Sequence, residues 1–574
     1  MLTRRELFPA LGAIRIVHHD EHLLAVDKPA GVPSQSADPA RPDDLPHRLK
    51  EHLRDAGEQD YLGIHQRLDQ ATSGVIVYTR SKEANPGLAR QMEGRTVRKR
   101  YVAAVRGDVS DFDGAKGATM RDWLGRDGAV SVVLPERTRK AKQAVSRVRV
   151  LERRGDRALL EVRIETGRTH QIRAQLAHRG LPIAGDRAYG AVRAPRLMLH
   201  AASLGLDHPL TGDTLTLEAP VPAAFQRWLD GEEAVPLDSL DALRVALVRA
   251  RESRWGLGRA ALSKAPTTAF RLLNRGGDGV PGLAVDVYGD HLLAHLYGDR
   301  ALAAEATIVE ALSELGYEGL YLKKHPKQKN TLRDDERAAL APADPVWGAP
   351  APDELAVFEH GVAYSTGLGD GLSTGLFLDQ RDARLRLREV AKGKSVLNLF
   401  CYAGAFGVAA AVGEASKVVQ VDVSRPALER AARSEALNSV ATERVRHDVF
   451  AWLATAAKRG ERFDIVVVDP PSYSTAGKSR WTSGADWVGL AEACFRVMTQ
   501  RGTLVVSSND GRLTQAALRR HVHEGARKAG VGIAQMKDLP EPPDFPGAKL
   551  HRLWVRLGEA KGERPSRGRR RRRR

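Results

Sequence analysis

Arg67 and Asp69 stand two residues apart in Ile64-His-Gln-Arg-Leu-Asp-Gln-Ala-Thr-Ser-Gly74. On an extended backbone that spacing puts both side chains on one face, where a guanidinium and a carboxylate pair. A paired aspartate stays ionised, the state it needs to attack a sugar or a base, or to stabilise an oxocarbenium-like centre. Taken alone, the spacing suits first an Arg–Asp pair bracing a turn that ends at Gly74. A second cluster, Glu165-Thr-Gly-Arg-Thr-His-Gln-Ile-Arg173, follows a strand pattern and opens a helix pattern with Thr169 as its cap. Arg168 and Arg173 beside an aspartate suit a phosphodiester substrate; alone, the same cluster also fits a solvated helix end.

The second half offers a different chemistry. Asn398-Leu-Phe-Cys-Tyr-Ala-Gly-Ala-Phe-Gly407 lies between a strand pattern and an Ala-rich helix pattern. Glycines such as Gly404 and Gly407 let backbone approach a ligand, and a helix N-terminus favours a carboxylate. Asp422 ends the next strand pattern, where an acid takes both hydroxyls of a ribose. Asp448 follows a further strand and suits an adenine amino group. Each of these also suits a turn or a cap; in succession they point to a nucleoside cofactor. In Ile465-Val-Val-Val-Asp-Pro-Pro-Ser-Tyr473, Asp469 comes just past a strand. Pro470 and Pro471 stiffen an extended loop and leave carbonyls free, and Tyr473 offers a face for a base, although a Pro-ended strand with a core tyrosine gives the same pattern.

These residues need scaffolds of two kinds. From Ile14 to Trp228, short aliphatic runs such as Val75-Ile-Val-Tyr78 and Tyr101-Val-Ala-Ala-Val105, cut by Gly, Pro and Asp, predict a mainly antiparallel sheet. Leu283–Tyr288 and His291–Tyr297 predict paired strands in a small α+β unit with a helix near 304–315. From Ser395 on, strands alternate with helices, the mark of a doubly wound, mainly parallel Rossmann-like sheet whose ligands sit at the strands' carboxyl ends. The expected fold is therefore multidomain α/β and α+β. The expected divisions are 1–232, a linker and helix over 233–265, a central unit over 266–352, a doubly wound domain over 353–560, and a disordered arginine-rich tail over 561–574.

The chain has 574 residues, 42% hydrophobic and 28% charged, with a net charge of +18. The tail from Lys561 supplies +8 of that, so the rest is basic in its own right and suits a polyanion, RNA first. Two cysteines, Cys401 and Cys494, exclude a disulfide framework, a four-thiolate metal site or an iron–sulfur cluster. No signal-peptide core and no long apolar run occurs, so the expectation is a cytoplasmic protein with no membrane and no metal partner.

In order along the chain, Leu24-Ala-Val-Asp-Lys-Pro-Ala-Gly31, Arg67-Leu-Asp-Gln-Ala-Thr-Ser-Gly74, Arg98-Lys-Arg-Tyr101, Gly167-Arg-Thr-His-Gln-Ile-Arg173, Pro182-Ile-Ala-Gly-Asp186 and Leu197-Met-Leu-His-Ala201 resemble the RluA family of RNA pseudouridine synthases. The resemblance covers about 14–223. It implies isomerisation of uridine to pseudouridine without metal or cofactor. Asp69, in a motif shared with Arg67, would be the nucleophile; Tyr101 would stack on the base and assist proton removal; Arg173 would orient Asp69. Gln66 stands where the family usually has histidine, and the family's optional leading RNA-binding module has no room here, which bears on target choice.

Asp278-Gly-Val-Pro-Gly-Leu-Ala-Val-Asp-Val-Tyr-Gly289, Glu359-His-Gly361, Thr374-Gly-Leu-Phe-Leu-Asp-Gln-Arg-Asp382, the 398–407 loop, Asp422 and Asp469-Pro-Pro-Ser-Tyr473 resemble class I S-adenosylmethionine-dependent methyltransferases of the RlmI and RlmK type, which act on large-subunit rRNA. The resemblance covers about 270–557, with the synthase half standing where RlmI has a PUA domain. It implies that Gln380, Asn398, Phe400, Gly404, Gly407 and Asp422 hold S-adenosylmethionine, Asp448 its adenine, and Asp469 to Tyr473 the target base. Val506-Ser-Ser-Asn-Asp510 lacks the cysteine that RlmI-like enzymes carry there, which favours a guanine ring nitrogen over a cytosine carbon. The implied protein is a bifunctional enzyme of large-subunit rRNA, with tRNA as another substrate. The alternative class is an RNA-binding ribosome-assembly factor with one idle site.

Overall fold

Valine, isoleucine and other β-branched residues pack well on a pleated surface, and the aliphatic runs of the first half form strands that bury at least one face. The computed structural model describes residues 2–36, 43–128, 130–326, 339–471, 473–476, 479–482, 486–548 and 550–558, those between 473 and 482 by backbone alone. The tail expected over 561–574 lies outside the described residues.

The strands of the first half run side by side in the order Arg15–His19, Leu23–Lys28, Ser73–Thr79, Leu199–Asp207, Arg98–Arg106, Arg157–Ile164, Lys142–Arg154, Ala118–Asp127 and Val130–Leu134. Neighbours are antiparallel, as the sequence predicts, except that Ser73–Thr79 and Leu199–Asp207 meet in parallel, Ser73 opposite His200 and Gly74 opposite Ala201. At that crossing Gly74 has φ +118°, and a Cβ there would lie 2.1 Å from the Ala201 carbonyl oxygen. Only glycine lets the two backbones close.

A central sheet takes Ala269–Asn274, Leu283–Tyr288, His291–Tyr297, Gly319–His325 and Trp347–Gly348 in sequence order. Helix Leu240–Ser253 is no free connector, because Leu243, Ala246, Leu247 and Ala250 recur at helical spacing and enter this unit's core. Leu7 and Phe8, expected with the synthase half, enter the same core, with the Phe8 ring edge-on to Phe270 at 6.2 Å. The synthase half is clamped to this unit by a fully buried Arg48–Glu252 ion pair at 2.7 Å, and the Arg48 guanidinium lies 4.9 Å from the Trp255 ring centre.

The third sheet has the order Glu443–Arg446, Lys417–Asp422, Ser395–Leu399, Phe463–Val468, Met498–Ser508, His551–Leu557, Ile533–Asp538. It is parallel except at His551–Leu557, which runs antiparallel to both neighbours. Strand order reverses direction between Ser395–Leu399 and Phe463–Val468, which places the ligand crevice at their carboxyl ends. This unit and the central one share a core containing Tyr288, Tyr321, Val357, Tyr364, Leu376, Val408 and Phe545. Asp544 ties them further: its buried carboxylate accepts both Arg381 guanidinium nitrogens (2.9 and 2.6 Å) and the Arg271 amide (3.0 Å). Among the described residues no helix is long and apolar enough to cross a membrane.

Candidate active sites

Asp69 lies on the loop entering strand Ser73–Thr79, and buried groups fix that loop. The Lys28 ammonium, with no exposure to solvent, donates to the carbonyls of Pro29, Val32 and Gln70 at 3.1, 2.8 and 3.0 Å; burial pulls its pKa down to about 7. Ser34 donates to the Leu68 carbonyl at 2.8 Å and accepts the Leu68 amide at 3.0 Å.

The loop delivers Asp69 to Arg173, whose Nη1 donates to Asp69 Oδ2 at 2.9 Å. The same guanidinium donates Nε and Nη2 to the two oxygens of buried Asp186, at 2.6 and 2.9 Å. Burial opposes the charge on Arg173, but Asp186 and Asp69 outweigh it and keep the group protonated. The fork fixes the cation, and the cation in turn orients the Asp69 side chain. The His170 ring nitrogen lies 3.8 Å from Asp69, and Tyr189 sits against Arg173 at 5.3 Å. Tyr101, on strand Arg98–Arg106, packs between the two cores of this half. Burial first, and the Asp69 charge second, push its hydroxyl up, so it is a neutral ring and an O–H donor at physiological pH.

Two local expectations are corrected here. Arg67 is exposed and makes no ion pair among the described residues; Asp69 pairs 104 residues away instead. The extended geometry that would align Arg67 with Asp69 ends in a turn, where the Thr72 amide donates to the Asp69 carbonyl at 3.0 Å. Thr169 is not the helix cap either. Helix Gln171–His178 starts from His170 at φ 52°, and Gln171 braces the loop, its Oε1 accepting the Arg168 amide at 3.1 Å while the Thr169 carbonyl takes the Ser131 hydroxyl at 2.7 Å. Gln66, at the family's histidine position, has a buried amide nitrogen with no partner among the described residues.

In the doubly wound half, Asp422 accepts the Tyr402 amide on Oδ2 at 2.8 Å and the Ser424 amide on Oδ1 at 2.9 Å. This holds the 400–404 loop, where Phe400 and Tyr402 have φ of 53° and 49°, values that side-chain-bearing residues rarely adopt. Gln380 donates to Asp469 Oδ2 at 3.4 Å and to the Ser507 hydroxyl, while its Oε1 is buried with no partner among the described residues. Asp469 is pushed up to about 6, by burial first and by Asp379 second. A loop held in a strained turn, the N-terminus of helix Ala405–Val412, the strand-end Asp422 and an orphaned buried amide oxygen together fit S-adenosylmethionine, which supplies an electrophilic methyl group.

Other expected residues take different places. Asn398 points inward, donating to Gln420 Oε1 at 3.1 Å with 2% exposure. Gly404 and Gly407 make room for protein rather than ligand, since a Cβ on them would lie 2.9 and 2.2 Å from the Gln420 side chain. Asp448 caps helix Val449–Lys458, accepting the Ala451 amide at 2.9 Å, and Phe400 lies edge-on to Phe450 at 6.1 Å. Pro470 is buried and Pro471 exposed. Tyr473 starts a short hairpin, and its side chain lies outside the described residues. Asp379, Ser507 and Phe377 were missed as site residues. Phe377 is 51% exposed and 5.6 Å from the Tyr402 ring; Asp379 and Phe377 both sit in the Thr374–Asp382 motif beside Gln380, a signal that was present in the sequence.

Residues 22–178 match the RNA pseudouridylate synthase family, and residues 338–553 match the S-adenosylmethionine-dependent methyltransferase family. Ribosomal RNA large subunit methyltransferase I of Aeromonas hydrophila subsp. hydrophila is 32% identical over 322 residues, spanning 55% of this chain and 78% of its own length. The protein of the same name from Escherichia coli O9:H4 is 31% identical over 281 residues, spanning 48% and 70%. A solved structure, Human RNA Pseudouridylate Synthase Domain Containing 4, is 25% identical and covers 40% of this chain and 95% of that one, with a TM-score of 0.32. The chain belongs to the S-adenosylmethionine-dependent methyltransferases and carries an RluA-type pseudouridylate synthase domain ahead of that half. It is a bifunctional RNA-modifying enzyme.

Proposed function

We propose that the enzyme isomerises a uridine to pseudouridine and methylates a guanine ring nitrogen in bacterial large-subunit rRNA, in the cytoplasm. The observation that carries this reading is the Asp69–Arg173–Asp186 relay together with the Gln380–Asp469–Ser507 set: motifs far apart in the chain close into two built sites.

At the first site Arg173 aims Asp69 for nucleophilic attack on a flipped uridine. The C1′–N1 glycosidic bond breaks as Asp69 attacks, the uracil turns over against the Tyr101 ring, C5 bonds to C1′ as Asp69 is released, and the proton lost from C5 is balanced by one gained at N1. The neutral Tyr101 hydroxyl favours its stacking role. At the second site Asp422 and Gln380 hold the cofactor, and Asp469, with the Pro470–Pro471 segment, positions the target base. A pyrimidine carbon would need a thiolate to add to the ring, whereas a guanine nitrogen needs only alignment. Burial raises the Cys401 thiol well above its ordinary range and pushes Cys494, in the helix Trp487–Arg496 core, up to about 12, which leaves no ready thiolate on either. Ser507 stands at the strand end in place of one.

The names of the relatives favour large-subunit rRNA. The test is mass spectrometry of nucleosides from large-subunit rRNA and bulk tRNA treated with the protein, with and without S-adenosylmethionine. The expected result is pseudouridine lost in Asp69→Ala and a methylguanine lost in Asp469→Ala, both on rRNA. Products on tRNA alone would move the substrate, and absence of one product would make that half an idle RNA-binding module.

A further inference from the structure

Arg173 and Asp186 of the synthase site and Asp379 and Phe377 of the methyltransferase site line one continuous cleft of about 1860 Å³. Pockets for one small ligand measure about 300–1,000 Å³. Among the described residues, nine arginines line this cleft against five carboxylates. Asp186, Asp278 and Asp286 are consumed by Arg173, Arg254 and Arg271. Arg196, from the synthase half, and Arg249, from helix Leu240–Ser253, make no ion pair among the described residues, and Arg249 adds to the burial that depresses Arg196 to about 9. Among the described residues Arg196 donates only to neutral acceptors, the Leu197 and Leu199 carbonyls and the Ser73 hydroxyl, and Arg249 to the Asp278 carbonyl. Two like charges from different units thus stand in one cleft with no carboxylate partner among those residues, an arrangement that suits an outside anion.

Between the two sites the central sheet presents a ladder of planar groups to the same cleft. Tyr297 and His325 are register partners on parallel strands, their rings 4.5 Å apart and 9° from coplanar. His295 continues the ladder 5.5 Å from His325, fixed by Asp286 at 3.2 Å. At the other end the exposed Arg275 guanidinium lies 4.3 Å from the Tyr297 ring centre, on a backbone held at φ 46°. A guanidinium lying on an aromatic ring offers a plane for an unpaired base and a charge for its phosphate.

Resting on the bifunctional reading above, we infer that one single-stranded RNA segment occupies both active sites at once, threading this cleft with a base on the Arg275–Tyr297–His325 ladder and phosphates at Arg196 and Arg249. The two modified nucleotides then belong to one RNA element, and the ladder is a binding site of the fused chain, serving both reactions.

Both reactions are followed on one large-subunit rRNA transcript with the full-length wild type, Arg275→Ala and Tyr297→Leu, while a labelled single-stranded RNA of about 20 nucleotides, longer than common site sizes of ~4–16, reports binding and stoichiometry. The expected result is one RNA per chain, a rise of about tenfold in Kd and in KM for both reactions in each variant, and an unchanged thermal shift with S-adenosylmethionine. An RNA saturating pseudouridylation should inhibit methylation of a second RNA competitively. Two RNAs bound per chain, no cross-inhibition, or a KM change in only one reaction would overturn the inference. If neither product forms on any RNA, the functional reading fails, while the stoichiometry and the Arg275→Ala binding loss still decide the ladder's role.

Discussion

Asp469 stands beside Asp379 at the methyltransferase site: burial raises both carboxyls, and the Asp379 charge raises Asp469 further. The Asp379 carbonyl accepts Arg552 Nη1 at 2.8 Å, and the charge of the largely buried Arg552 lowers both acids, the minor effect at each.

Asp469 titrates at about 6, so methylation that needs its carboxylate should fall as pH drops through 6. The linkage sign is the reverse of a salt-bridged acid. The folded state holds this proton more tightly than the unfolded chain, so the group costs stability as pH rises from the ordinary carboxylate range through 6, and the cost is complete above it. Asp469→Asn should therefore abolish the methylation step near pH 6 while leaving the folded protein at least as stable at neutral pH, as read by rate–pH profiles and thermal melts.

Arg173→Lys keeps the charge but loses the fork that reaches Asp69 and Asp186 together. Pseudouridylation kcat should fall on the order of 10²-fold from misplacement of Asp69, with the S-adenosylmethionine thermal shift retained. Asp186→Ala should cost about 3 kcal/mol of stability in denaturant melts, because it removes the two-point partner of a largely buried cation and leaves it only its single bond to Asp69.

Cys401→Ala should keep the methylated product within a few-fold of wild type, since this thiol is 7% exposed and raised well above its ordinary range. A methylcytosine product that vanishes in this variant would replace guanine nitrogen with cytosine carbon.

Deleting Arg569–Arg574 removes six arginines. If they bind RNA, the log–log salt slope of binding to single-stranded RNA should flatten by about 0.7 for each phosphate they had neutralised. An unchanged slope between low and moderate salt would separate the tail from RNA binding.

Strands and their alternation with helices were legible because periodicity and β-branched runs are local: Val75–Tyr78 and Lys417–Asp422 fall within or on observed strands. What local spacing did not hold was partnership. Asp69 meets Arg173 rather than Arg67, and Asp544 meets Arg381 163 residues before it, pairings set by how sheets stack. The resemblance to known families supplied Arg173 where spacing did not. Glycines at 404 and 407 pointed correctly to close approach but not to its object, the Gln420 side chain. Asp448 caps its helix, one of the two uses its position suits.

Leu7 and Phe8 lie in the central core among residues from Leu237 to Leu322. During synthesis they leave the ribosome long before those partners exist. At about 5–20 residues per second, the wait from Phe8 to Leu243 is roughly 10–50 s. The synthase sheet can assemble in that interval while its own leading end stays unclaimed, exposed to proteases and to other chains. Completion of the central unit then buries Leu7 and Phe8, so residues made well before their partners are among the last to be protected.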